Sequence, residues 1–183
     1  MTFSNKIAEL KNKGFFENLV ITRGIEKESL RVTEDGFLSQ TKHPKGLGSP
    51  LTNKYITTDF SEALVELVTP TFNNINDVYE FLLDLHIFTG KAMKPDEVLW
   101  TNSMPCFIAD ESEIRIAEFG SSNIGRLKNI YRKGLRVRYG SIMQCVAGIH
   151  YNFSIDDNSL ANFTGSLNKD TKSDIYLLSL IHI

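Results

Sequence analysis

The sequence predicts an α+β fold in which an antiparallel or mixed sheet is flanked by helices. Residues 143–155 alternate polar and apolar side chains, the period of two that marks a half-covered strand, and residues 19–32 read as a second strand. Residues 76–93 carry Val78, Phe81, Leu82, Leu85 and Phe88 at helical spacing. Strands and helices mix without the regular strand-helix-strand rhythm of a parallel sheet.

Taken in order, residues 5–13 predict a short amphipathic helix built on Ile7 and Leu10. The strand over 19–32 ends at the turn Glu34-Asp35-Gly36, and residues 39–52, with Pro44, Gly46, Gly48 and Pro50, read as an irregular loop. Residues 60–69 fit a helix or a strand, since Glu62 and Glu66 share a face under either period; the closing Leu-Val-Thr-Pro favours a strand. The helix over 76–93 has Asn74 or Asn76 as its cap. A second long helix is expected over 123–138, with a stripe of Ile124, Leu127, Tyr131 and Leu135. The strand over 143–155 puts Ile149, Tyr151, Phe153 and Ile155 on a face expected to enter the core, and Gly148, His150, Asn152 and Ser154 on the other. Residues 156–172 are rich in Asn, Ser and Thr and read as a loop.

The chain of 183 residues is 42% hydrophobic and 23% charged, ordinary for one soluble domain or part of one. A net charge of -2 and a pI near 6.1 exclude a general binder of nucleic acid or of anionic membranes. Cys106 and Cys145 lie far apart without a CxxC, so no disulfide framework or zinc ribbon is implied, and a reducing cytoplasm fits best. The first residues lack the apolar core of a secretory signal, and no run approaches the ~18 apolar residues of a membrane span. Leu178-Ser-Leu-Ile-His-Ile183 resembles the translation of a transposon adapter end and is expected to be a non-native tail, a genuine terminal strand being the alternative.

The chemistry concentrates in a few places. In the strand over 19–32, Glu26 and Glu28 point the same way about 7 Å apart, and the opposite face carries Arg23, Lys27 and Arg31. Such a pair is either a solvated strand face with salt bridges to its neighbours or a seat for a divalent cation. Asp59, Glu62 and Glu66 form a second acidic group. Placed in a strand, Glu66 sits among aliphatics, where an unpaired carboxylate is costly and calls for a cation or a basic partner. His150 and Asn152 share a strand face beside Gly148 and can offer an imidazole and an amide, or serve as structural residues. Between Gly120 and Ile155 the chain holds six cations, Arg126, Lys128, Arg132, Lys133, Arg136 and Arg138, and no acid. The Gly120 to Gly125 spacing lacks the Lys and Ser/Thr of a P-loop, but its Ser/Asn-rich turn opens a helix at a terminus suited to anions. Acids and cations together suggest a metal-nucleotide site.

With these residues in hand, the chain resembles bacterial glutamate-cysteine ligase (γ-glutamylcysteine synthetase) of the proteobacterial type. The resemblance rests on RGIEKESLRV, TTDFSEALVELVTP, DLH, SMPC, SSNIGRLKNIYRKGLRVRYG and GIHYNFS, which run in family order. It implies a fold like that of glutamine synthetase, with an antiparallel sheet lining a funnel-shaped site. It also implies ATP-dependent joining of the glutamate γ-carboxylate to the cysteine amino group through γ-glutamyl phosphate, the first step of glutathione biosynthesis. By motif, Glu26, Glu28, Asp59, Glu66 and His150 are expected to ligate Mg2+, with Mn2+ as a substitute. Phe60, Tyr131, Leu135 and Gln144 are expected to line the cysteine pocket. Asn152 and the backbone near Ala147 and Gly148 would meet glutamate, and Arg132 would meet an anionic group of phosphate or cysteine.

The partners so implied are glutamate, cysteine and ATP, in the cytoplasm, with no nucleic acid, membrane or obligate protein partner. Enzymes of this family are considerably longer. Residues 1–177 are therefore expected to be the N-terminal part of a single catalytic domain, inactive and poorly soluble alone. Without the resemblance, the same carboxylates suit an unrelated Mg-dependent phosphotransferase or phosphatase. A nucleic-acid contact through the basic helix would leave Glu26, Glu28 and Glu66 without a purpose.

Overall fold

Thirteen residues long, β1 (Ile21–Thr33) is the strand with which three others pair. The computed structural model describes residues 3–164 except 15 and 18. Around β1 the chain adds α1 (Phe3–Asn12), β2 (Ile56–Thr58), β3 (Leu64–Val68), α2 (Ile75–Ala92), β4 (Glu97–Leu99), α3 (Asn123–Tyr139), β5 (Ile149–Ile155) and α4 (Asp157–Thr164). The strands lie in the order β2-β3-β1-β4, and β5 also pairs with β1. The pairs β1 with β3, β1 with β4 and β2 with β3 are antiparallel, in a register that sets Glu28 opposite Glu66 and Leu30 opposite Leu64. The fold is thus the α+β arrangement that the sequence predicts. The turn at Gly36 needs a glycine because its φ is 83°.

The chain divides into two units. In the smaller, formed by Met1–Arg23 with Phe153–Ile183, Asp156 caps α4 by accepting from the Asn158 and Ser159 amides at 2.9 and 3.2 Å. Ser159 in turn accepts from the Val20 amide at 3.0 Å. The larger unit, Gly24–Asn152, holds every candidate site residue.

Within the larger unit, side-chain alternation on β3 feeds two cores. Leu64 joins Leu30, Val32, Phe60 and Ile114 in one of them. Val65 and Leu67 point the other way and pack with Leu47, Ile56 and Leu85 of α2. Asn74 caps α2, accepting from the Asn76 amide at 2.9 Å. Cys106 and Cys145 are both buried as free thiols in the first core; burial raises both above the ordinary thiol range, Cys145 to about 12.

Several expectations are corrected. The segment expected as strand over 143–155 begins as a 3-10 turn, Ile142–Cys145, that drives Cys145 into the core; the strand starts only at Ile149. Its apolar face is not core, since Ile149, Tyr151 and Phe153 are exposed. Residues 156–172 are not all loop, because Asp156 nucleates α4; residues beyond 164, including the expected adapter-like tail, lie outside the described residues. Over residues 60–69 only Leu64–Val68 is strand, preceded by a tight turn in which Leu64 donates to Ser61. That turn buries Glu62, whose oxygens accept from the His43 and Glu118 amides at 2.9 and 2.8 Å, so Glu62 is spent on the backbone and leaves the acidic group.

Helix α3 reverses its expected orientation. Ile124, Leu127 and Tyr131 are exposed, while Gly125 and Arg132 are buried. Backbone carbonyls satisfy the buried polar side: Arg132 and Arg136 donate to the carbonyls of Asp59 and Ile114, and Asn129 to that of Ala117 at 2.9 Å. The basic face of β1 is not solvated either. Arg31 is fully buried, with Nη1 3.2 Å from both Glu97 oxygens and Nη2 donating to the Thr41 and Glu62 carbonyls.

Candidate functional site

The antiparallel register of β1 and β3 brings together two carboxylates that are 38 residues apart in sequence, Glu28 and Glu66. Asp59 follows β2 and is held from α3 by Arg132, whose Nη2 lies 3.3 Å from Asp59 Oδ1 and whose Nε donates to the Asp59 carbonyl. The Arg132 guanidinium stacks on the Phe119 ring at 4.5 Å from its centroid and also donates to the Lys128 carbonyl at 3.1 Å. Its donors are therefore largely engaged within the chain. On the other side of Glu28, the Gly148 amide donates to Glu28 Oε2 at 2.7 Å, and the Glu28 amide donates to the Gly148 carbonyl at 2.9 Å.

The electrostatics follow from this crowding. Glu66 is half-buried between Val65 and Leu67, and burial is the largest cause that pushes its carboxyl up to about 7. The charges of Asp59, Glu28 and Glu26 push it the same way, and only Arg132 opposes them. Glu28 is raised as well, first by burial, with the Gly148 amide and His150 holding it down and Asp59 and Glu26 raising it. Glu28 and Glu66 are thus both raised, with Arg132 opposing the rise at Glu66. Among the described residues, no three of the His, Cys, Asp and Glu side chains form a ready-made metal-holding group.

Hard carboxylate oxygens with one imidazole suit Mg2+ or Mn2+, and a cation would relieve the repulsion that raises Glu66. Glu26, Glu28, Asp59, Glu66 and His150 fit that group on the chemistry of their donors. Two cavities lie elsewhere. One, of about 650 Å³, lies by Phe119, Arg126 and Lys133; the other, of about 530 Å³, lies by His43, Lys94 and Glu97. The acids are marked by their titration rather than by an enclosed volume.

The remaining residues of the expected site divide. Phe60 and Ala147 are buried in the first core, and Leu135 packs against it. Gln144 sits half-buried in the 3-10 turn, its amide donating to the Ser141 carbonyl at 3.1 Å. Tyr131 is exposed on α3 and Asn152 on β5, two residues along from His150. Two contacts have no signal in the sequence, the Gly148 amide on Glu28 and the Arg132 clamp on Asp59. Each joins residues more than seventy positions apart.

The model of the glutamate-cysteine ligase family matches residues 6–182. The glutamate-cysteine ligase of Alcanivorax borkumensis is 57% identical over 137 residues, covering 75% of this chain and 26% of that protein. That of Proteus mirabilis is 50% identical over 161 residues, covering 86% of this chain and 30% of that protein. The crystal structure of the Francisella tularensis glutamate-cysteine ligase in complex with AMP superposes with a TM-score of 0.78 at 48% identity, over 81% of this chain and 30% of that one. A bifunctional glutathione synthetase from Pasteurella multocida gives a TM-score of 0.78 at 30% identity, over 88% of this chain and 21% of that one. The chain spans 26 to 30% of the length of these two curated relatives. On these matches, the chain belongs to the glutamate-cysteine ligase family.

Proposed function

We propose that the chain forms part of an ATP-dependent ligase that joins the γ-carboxylate of glutamate to the amino group of cysteine through γ-glutamyl phosphate, in the cytoplasm, as the entry to glutathione biosynthesis. The observation that carries this reading is the Glu28 and Glu66 pair, where burial first, and then the charges of Asp59, Glu28 and Glu26, push Glu66 to about 7. The AMP of the Francisella relative supports a nucleotide as co-substrate.

In this reading Glu26, Glu28, Asp59, Glu66 and His150 hold Mg2+, with Mn2+ able to substitute. When bound, the cation neutralises phosphate oxygens and steadies the charge of the transferring phosphoryl group. Glu66 gives up its proton to enter the site. Arg132 keeps Asp59 at the edge of the cluster, which gives it a positioning role in place of direct contact with substrate. Asn152 and the backbone at Ala147 and Gly148 are assigned to glutamate, and Phe60, Tyr131, Leu135 and Gln144 to the cysteine pocket.

A chimera tests this, with the chain replacing the matching segment of the Alcanivorax ligase. Phosphate release that requires both glutamate and cysteine, and that Glu66→Gln abolishes, is the expected result. Release from ATP without either amino acid would favour a simple phosphatase and overturn the proposal.

A further inference from the structure

We infer that Gly148 is a positioning residue of the acidic site, reserving a space bordered by both the His150 imidazole and the Glu28 carboxylate; the inference rests on the cation-binding reading above. Three observations converge on it. The Gly148 amide fixes Glu28 Oε2 at 2.7 Å while its carbonyl accepts from the Glu28 amide at 2.9 Å, so one residue grips both the backbone and the side chain of Glu28. A Cβ built on Gly148 would lie 3.0 Å from His150 Nε2 and 3.6 Å from its Cδ2, but 3.5 Å from Glu28 Oε2. The first distance is tighter than ordinary van der Waals contact and the last is not. An added methyl therefore displaces the imidazole first and leaves the carboxylate in place.

The third observation separates space from backbone conformation. Gly148 is not among the glycines with positive φ, so any L-residue could adopt its backbone. Glycine is required there for the volume that a side chain would take. The imidazole that must yield is exposed on β5 and free to rotate, so the fold has no reason to fail when it does. What is displaced is a ring nitrogen that borders, as Glu28 Oε2 does, the space beside the Gly148 α-carbon. This is how outer groups tune a cation site without touching the ion.

The test uses the 183-residue chain with Mn2+ as the probe, reading free Mn2+ by electron paramagnetic resonance and the His150 ring by its nuclear resonances. Gly148→Ala is expected to shift the His150 ring signals before any metal is added, and to weaken Mn2+ binding about tenfold. His150→Ala removes the obstructing ring, so adding Gly148→Ala to it is expected to cost nothing further. Equal Mn2+ affinity in Gly148→Ala and the parent, or additive losses in the double variant, overturns the positioning role while leaving the cation site standing. If the parent chain itself neither binds Mn2+ nor broadens His150, the cation reading fails instead. Should Gly148→Ala alone unfold, the double variant decides: a folded double variant supports the steric account and an unfolded one refutes it.

Discussion

Glu28 and Arg31 lie three residues apart on β1, on opposite faces of the sheet, and meet opposite electrostatic fates. Arg31 is fully buried beside Glu97, and that carboxylate also accepts from Ser39 and Thr41. Burial works to raise Glu97, but the two hydroxyls, Arg31 and the Lys94 amide outweigh it and hold the carboxyl below its ordinary range. Glu28 faces Glu66, Asp59 and Glu26, and its own carboxyl is raised. Arg31 has its charge matched from within the chain, whereas Glu28 lies among other carboxylates. A half-buried acid with its partners in place is architecture; one whose neighbours are mostly acids is waiting for something outside the polypeptide.

The harshest way to break this contrast is Arg31→Met. It leaves Glu97 buried without its counter-ion and is expected to cost about 3–5 kcal/mol in urea unfolding. Glu66→Gln is expected to act in the opposite direction. The folded chain holds the Glu66 proton up to about 7, against 4.5 for the ordinary group. The contribution to stability is therefore full below about 4.5 and is lost as pH rises toward 7. Thermal unfolding without divalent ions should show that decline in the parent and a flatter profile in Glu66→Gln. The cation itself sharpens the contrast, because binding must expel the same proton. Mg2+ affinity by calorimetry should fall about tenfold per pH unit as pH drops below 7. The smallest effect is reserved for Lys42→Ala, which breaks an exposed pair with Glu118 at 3.3 Å and should shift stability by about 0.2–1 kcal/mol.

Much of this was legible in the sequence, and the failures share a cause. The i, i+2 pair Glu26 and Glu28, the strand preference of Leu-Val-Glu-Leu-Val and the Asn74 cap all depend on local geometry, and all appear as read. Periodicity says which residues share a face, but not what covers it. Helix α3 carries both an apolar stripe and arginines, and Arg132 is buried and Arg136 half-buried because backbone carbonyls of Asp59 and Ile114 accept from them, while Ile124, Leu127 and Tyr131 stay exposed. On β5 the apolar row was read as core, yet among the described residues Ile149, Tyr151 and Phe153 stay exposed. Glu62 resembled Glu66 in spacing and differs only through two backbone amides brought from residues 43 and 118. Family motifs supplied the list of site residues; spacing alone could not have joined Asp59 to α3 or Gly148 to Glu28.

The two interior thiols carry a chemical consequence. With Cys145 pushed to about 12 by burial, only about one molecule in 10⁵ carries it as thiolate at neutral pH. Thiolate is the species that attacks disulfides. In the proposed role the chain handles cysteine, and its own buried sulfurs stay largely protonated. Mixed disulfides that would jam the first core are thereby suppressed at their chemical origin.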